Sequence, residues 1–204
     1  MYSNTVSPQL LHIIKQVSQH LPFNEFRLCG GTALSLQIGH RMSDDADFVA
    51  QSITDKDNLQ KDIALFFPNA TDFHQGAFGL YLKVDGIKVD FLCWNLPFIR
   101  PAVLLDGISM LHIEEIIAMK LFAILQRGEK KDYMDIASLL ETYTLKNMID
   151  FFCERHKGYD GATVLRFLAS YSDIENQPTP RMLNNLTWEE SKMRLNSAII
   201  NYLT

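Results

Sequence analysis

Cysteine and long apolar runs are both scarce in this chain, and each scarcity excludes a class of protein. Only Cys29, Cys93 and Cys153 are present, far apart and with no CxxC pair. That removes zinc-finger and thioredoxin-type readings. An odd cysteine count suits a reducing compartment, with each thiol acting as a small apolar filler. The first residues, MYSNTVSPQ, lack a basic stretch followed by an apolar run, so no signal peptide is expected. No apolar run approaches the roughly 20 residues that span a bilayer. A cytoplasmic protein without a membrane partner is the expectation. Positive charge is also short, with 19 Lys and Arg against 24 Asp and Glu and a formal net charge of −5. That argues against a surface that grips nucleic acid all over, and leaves room for a local basic patch. Internal repeats and low-complexity segments are absent.

With 204 residues, 47% of them apolar, the chain can bury a core without disulfides or a structural metal. Leu10, Leu11, Ile13, Ile14 and Val17 recur at helical spacing over 8–20, with Ser7 as N-cap and Pro8 at the first position. Arg27–Cys29 reads as a short strand that runs through Gly30-Gly31-Thr32 into a helix closed by Gly39. Residues 45–50 read as a strand and 56–66 as an amphipathic helix. Leu80–Val84 and Ile87–Leu92 flank Asp85-Gly86, a strong hairpin signal because a type I′ turn needs positive φ at both central residues. From about residue 113 the pattern turns helical, over 113–126, 132–142, 145–156, 162–171 and 188–202, with a loop at 176–180. The expected class is α/β of the α+β kind. A small mixed sheet with flanking helices fills 1–110, and a helical lobe over 111–204 completes the active-site cleft. The seam falls at 97–112.

Three constellations carry chemistry. Gly30-Gly31-Thr32, after a strand and at the start of a helix, lets backbone N–H groups approach an anion where the helix dipole favours it. A plain tight turn explains the same glycines. Asp45 and Asp47 share one face of a strand, whereas Asp44 and Ala46 point the other way, Ala46 toward the core. Two carboxylates side by side repel unless a cation lies between them, and hard oxygen ligands suit Mg²⁺ or Mn²⁺. An acidic, solvated loop is the bland alternative. Asp90 weighs against it, because Asp inside the β-rich run Ile87–Leu92 is disfavoured without a partner. If that strand pairs beside 45–50, three carboxylates converge. The third constellation is Lys120, Arg127, Lys130, Lys131, Asp132 and Asp135, which reads either as a triphosphate-neutralising group or as a charged face.

Together, Gly30-Gly31-Thr32-Ala33-Leu34, Gly39-His40-Arg41 and Ser43-x-Asp45-x-Asp47-Phe48 resemble the first motif of the AbiEii-like nucleotidyltransferase toxins, within the polymerase-β-type superfamily. Glu114-Glu115, Lys120-Leu121-x-Ala123 and Arg127-x-x-x-Lys131-Asp132-x-x-Asp135 resemble the rest of that signature, over roughly residues 26–140. The resemblance implies Asp45, Asp47 and Asp90 as ligands of Mg²⁺ or Mn²⁺. It implies Lys120 as a catalytic contact to nucleotide phosphate. Gly30, Gly31, Thr32, Arg41, Ser43, Lys131, Asp132 and Asp135 follow as nucleotide-binding residues. It further implies a nucleoside triphosphate as donor, an acceptor hydroxyl that in some relatives belongs to transfer RNA, and a cognate antitoxin as partner. Ala46 departs from the pattern, which favours a large aliphatic residue there. A chain that binds nucleotide or a partner without turnover, or one that moves the γ-phosphate as a kinase, would carry the same motifs.

Overall fold

The computed structural model describes Met1–Thr204, the side chain of Leu21 excepted. The chain divides into two compact units. One is Met1–Ile38 with Ser43–His112, and the other is Gly39–Met42 with Ile113–Thr204. The short excursion of 39–42 into the helical unit has no counterpart in a division made at residue 110.

In the first unit, α1 (Pro8–Gln19) starts where Ser7 Oγ accepts the Leu10 N–H at 3.0 Å, with Pro8 in the first turn. Next come β1 (Arg27–Cys29), α2 (Gly30–Ile38), β2 (Ala46–Ala50) and α3 (Lys56–Phe66). Then β3 (Ala70–Gly76), β4 (Gly79–Val84), β5 (Ile87–Cys93), β6 (Val103–Leu105) and β7 (Ile108–Met110) complete one seven-stranded sheet. Its order is β3-β4-β5-β2-β1-β7-β6. The sheet is mixed: β2 runs parallel to β5 and β1 to β7, and the other neighbours are antiparallel.

The β4–β5 hairpin turns at Asp85 and Gly86, with φ of 50° and 81°, as the Asp-Gly pair requires. The same turn recurs at Asp106 and Gly107, with φ of 49° and 80°, and joins β6 to β7. Those two strands lie in the stretch expected to be a seam without sheet. Strand β3 was likewise not expected. It is an edge strand with Thr71, Asp72, His74 and Gln75 exposed, so it lacks the alternation that marks a half-buried strand. Two boundaries also move. Asp45 lies just outside β2, and α5 begins at Lys130, so Asp132 sits within its first turn instead of opening it.

One face of the sheet is aromatic. Phe48 and Phe91, aligned on β2 and β5, stack with centroids 5.5 Å apart. Phe26 meets Phe91 edge-on at 5.1 Å, and Phe23 bridges Phe91 to Phe66 at the end of α3. Because Phe91 is fully buried at the centre of this cluster, Phe91→Ala is expected to cost roughly 3–5 kcal/mol in a urea melt. A change below about 1 kcal/mol would mean the face repacks freely.

The second unit holds α4 (Ile113–Gln126), α5 (Lys130–Leu139), α6 (Leu145–Arg155), α7 (Gly161–Leu168) and α8 (Trp188–Leu203). Helix α4 packs mainly on α6 and α5, burying Ile116, Ile117, Leu121 and Ile124. Capping boxes at Thr144 with Asn147 and at Thr187 with Glu190 fix where α6 and α8 begin.

Candidate active site

The face opposite the aromatic cluster carries the acidic residues, and strand register brings them together. Asp47 on β2 is aligned with Asp90 on the parallel β5. Cys29 flanks Asp47 across β1, and Tyr81 flanks Asp90 across β4. Aligned residues on neighbouring strands share a face, so the two carboxylates stand side by side. Asp45 lies two residues before Asp47. Ala46 is fully buried, and Asp44, which precedes the strand, is exposed.

Asp90 is 5% exposed at its side chain, and its Oδ1 is buried with no hydrogen-bond partner. Its Oδ2 is 2.7 Å from Lys88 Nζ. Burial raises the Asp90 pKa, the Lys88 ammonium pulls it back, and the charge of Asp45 pushes it up again, for a net rise. For Lys88, burial acts to lower the pKa. The hydrogen bond to Asp90 and the charges of Asp90, Asp47 and Asp45 outweigh it and raise the value. Lys88 therefore sits in the field of all three carboxylates.

The loop before β2 is fastened to α2. Thr32 is buried, and its Oγ1 donates to the Asp45 carbonyl and lies 2.8 Å from Ser43 Oγ. The Ser43 N–H donates to the Thr5 carbonyl. Both hydroxyl residues thus hold the chain that presents Asp45. Gly30 opens α2 at φ +68°, and a Cβ there would come within 2.8 Å of Asp47 Oδ2. Glycine is required twice over, by the backbone and by the carboxylate leaning on it.

The remaining residues form a separate cluster within the helical unit. Asp135 on α5 is fully buried and accepts a fork from Arg41, Nε to Oδ1 at 2.6 Å and Nη2 to Oδ2 at 3.0 Å. His40 Nε2 lies 2.7 Å from Oδ1, and Lys120 Nζ 2.6 Å from Oδ2. Lys120, itself buried, also donates to Asp132 Oδ1 at 2.7 Å, and Arg127 reaches Asp132 Oδ2 at 3.3 Å. Backbone bonds from Met42 N to Arg181 O and from Leu183 N to His40 O anchor 39–42 in the same unit. Lys131 points outward and pairs with Glu129 at 2.9 Å. So Arg41, Lys120, Asp132 and Asp135 form one saturated ionic network, with Lys131 outside it. A groove of about 780 Å³, lined by Leu140, Tyr143, Met193 and Tyr202 among others, also lies in this unit and includes none of the site residues.

A family model for the nucleotidyltransferase AbiEii toxin of type IV toxin–antitoxin systems matches residues 12–199. The chain belongs to the AbiEii family. It is a nucleotidyltransferase with a toxin role. Protein aq_aa25 of Aquifex aeolicus (strain VF5) is 30% identical over 160 residues, which are 76% of this chain and 77% of that one. Among solved structures, MenT4, a nucleotidyltransferase toxin of Mycobacterium tuberculosis H37Rv, superposes with a TM-score of 0.61 at 16% identity, covering 92% of this chain and 79% of that one. JHP933 of Helicobacter pylori gives 0.58 at 18% identity, covering 96% and 92%. Both share the fold: a mixed sheet with flanking helices and further helices after it. No helix among the described residues is long and apolar enough to cross a membrane.

In this AbiEii chain, Lys88 is the neighbour of the carboxylates that the motifs do not mark. Its spacing from Asp90, i and i+2 on a strand, already put both on one face. A lysine beside an aspartate on a hairpin reads as a solvated pair, so nothing singled it out. Gly30 also carries a prediction for this AbiEii chain. Gly30→Ala is expected to cost roughly 1–2 kcal/mol from left-handed backbone strain. It should depress nucleotidyl transfer more than that loss of folded protein explains, because its methyl group displaces Asp47. Transfer rates measured well below the melting temperature check this. Activity that tracks folded fraction alone would contradict it.

Proposed function

We propose that this protein transfers a nucleoside monophosphate from a nucleoside triphosphate to an acceptor hydroxyl on RNA, with Asp45, Asp47 and Asp90 as its catalytic carboxylates. The observation that carries the reading is the alignment of Asp47 with Asp90, whose Oδ1 is buried without a partner. An unsatisfied carboxylate oxygen in a folded interior costs on the order of 1–3 kcal/mol, and an active site is where such a cost is retained.

The donor set fits a divalent cation in its chemistry. All three groups offer hard oxygens, and Asp90 Oδ1 awaits a positive partner. As they stand, no three histidine, cysteine or carboxylate side chains among the described residues form a group ready to hold a metal ion. Asp47 and Asp90 would hold Mg²⁺ or Mn²⁺, with Asp45 completing the set. When bound, the ion supplies charge neutralisation on the phosphates and a lower cost for a nucleophilic oxygen.

The protein's own residues do the rest. Asp90, a carboxylate within the same acidic group, would take the proton of the acceptor hydroxyl. The acceptor oxygen then forms a bond to the α-phosphorus as the bond to the bridging oxygen breaks, and pyrophosphate leaves with its electrons. The first-turn N–H groups of α2, at Gly30 and Gly31, face phosphate oxygens. Lys120, enclosed by Asp132 and Asp135, positions the network that holds Arg41. A cognate antitoxin restrains the activity in the cell.

Incubating the protein with Mg²⁺, each α-labelled triphosphate and total RNA tests the acceptor class. Label in a ribonuclease-sensitive product is the expected result. Label that only appears on a small molecule or on protein would overturn the RNA assignment.

A further inference from the structure

The acidic site already contains a cation, and it is covalently attached. Lys88 lies two residues before Asp90 on β5, on the same face. Its ammonium is 2.7 Å from Asp90 Oδ2. It also lies in the field of Asp47 and Asp45. The two ends of this pair differ in their freedom. Asp90 is 5% exposed at its side chain, so the carboxylate cannot leave. Lys88 is 56% exposed, so its flexible stem can carry the charge away into solvent. The other oxygen of Asp90 is buried without a partner. A single ammonium therefore serves one oxygen of a carboxylate that the charge of Asp45 repels, and leaves the other oxygen open.

We propose that Lys88 is a built-in counter-cation that competes with the divalent metal for Asp90, and that its ammonium is released when the metal binds. This rests on the metal-binding reading of Asp47 and Asp90 given above. The physical reason is charge. With Lys88 seated, one ammonium offsets the charge of Asp90 beside Asp47 and Asp45, and the acid pair stays tolerable without metal. With a divalent ion added, a seated ammonium would face like charge at close range. One of the two cations must move, and only Lys88 has a free path. Its release also puts a positive charge beside a site that receives a triphosphate. The pair thus ties metal loading to nucleotide loading.

Competition has a definite signature. A metal that binds only the form in which Asp90 is open has its apparent affinity reduced by the fraction of that form. If Lys88 holds Asp90 most of the time, removing it tightens binding by about 5- to 10-fold. Lys83 provides the control. It is aligned with Lys88 across the β4–β5 hairpin, it is equally exposed, and it pairs with Asp72 at 2.8 Å and not with the acidic site. Lys83→Met makes the same change in net charge without touching Asp90.

The test is Mn²⁺ binding to the nucleotide-free full chain, followed by electron paramagnetic resonance, for wild type, K88M, K88R, K83M and D47N. Thermal melts establish that each variant is folded. We expect K88M to bind Mn²⁺ about 5- to 10-fold more tightly than wild type. K88R should stay near wild type, K83M should change it less than twofold, and D47N should lose binding. Unchanged or weaker binding by K88M, with D47N still abolishing it, overturns the competition and leaves the metal site standing. Equal tightening by K83M and K88M overturns it too, because bulk charge then explains the effect. No Mn²⁺ bound by wild type or K88M overturns both the competition and the metal-binding reading beneath it. Should K88M melt well below wild type, K88Q is measured in its place under the same expectations.

Discussion

Asp47→Asn is expected to lower the rate of nucleotidyl transfer on the order of 10³-fold while leaving the melting temperature where it is or above. The two halves of this result follow from one geometry. Asp47 and Asp90 are aligned on neighbouring strands, and the field of Asp45 raises the pKa of Asp90 on top of burial. Removing one charge from this group relieves repulsion in the metal-free protein. The same change removes a ligand where the proposed reaction needs one. A residue kept for stability would behave in the opposite way, losing melting temperature and activity together. The measurement is a pair: single-turnover transfer with labelled triphosphate, and a thermal melt of the same preparation. A fall in activity that is matched by unfolding would count against Asp47 as a catalytic carboxylate.

Lys120→Met carries the second large effect, this time on stability. Lys120 is buried between Asp132 and Asp135, 2.7 and 2.6 Å from their carboxylates. Without it, Asp135 keeps Arg41 and His40, whereas Asp132 keeps the half-exposed Arg127. Leaving a buried charge uncompensated costs about 3–5 kcal/mol. The pH dependence has a fixed sign. Burial alone would raise the Asp135 pKa, but the charges of Lys120 and Arg41 and the hydrogen bonds from His40 and Arg41 hold it well below the usual carboxylate range. A depressed folded-state pKa contributes stability above the unfolded value of about 3.9, and that contribution is lost as pH falls below it toward the folded value. Wild type should therefore lose stability steeply on acidification below about pH 4, and K120M should lose less from its lower starting point. Urea melts across the acid range would show two converging curves. Parallel curves would mean that Lys120 does not set the ionisation of Asp135.

Much of this was legible from residue types alone, and what was hidden has physical reasons. Ser7-Pro8 opens α1 and Asp85-Gly86 turns the β4–β5 hairpin because caps and turns are local chemistry. The second Asp-Gly hairpin carries the same signal at Asp106-Gly107, yet its strands are only three residues long and follow closely on Pro97 and Pro101. Strand β3 showed no alternation because it lies at an edge with most of its side chains in solvent. Asp47 and Asp90 were recognisable separately as carboxylates in strands. Their adjacency depends on β5 entering the sheet beside β2 and not beside its sequence neighbour β6, which is a tertiary choice. The fork from Arg41 to Asp135 spans 94 residues, and no local pattern encodes it. Arg41, Lys120 and the two α5 aspartates read as a nucleotide-binding group from their motif. Their burial and mutual saturation make them the ionic core of the helical unit.

The most direct measurement is a crystal structure with Mn²⁺ and a non-hydrolysable nucleoside triphosphate, read from the manganese anomalous signal. The expected result is a peak about 2.1 Å from carboxylate oxygens of both Asp47 and Asp90, with Asp90 Oδ1 now partnered and Lys88 turned away from Oδ2. A manganese ion bound elsewhere, with Lys88 still seated on Asp90 and the nucleotide remote from the acid pair, would contradict it.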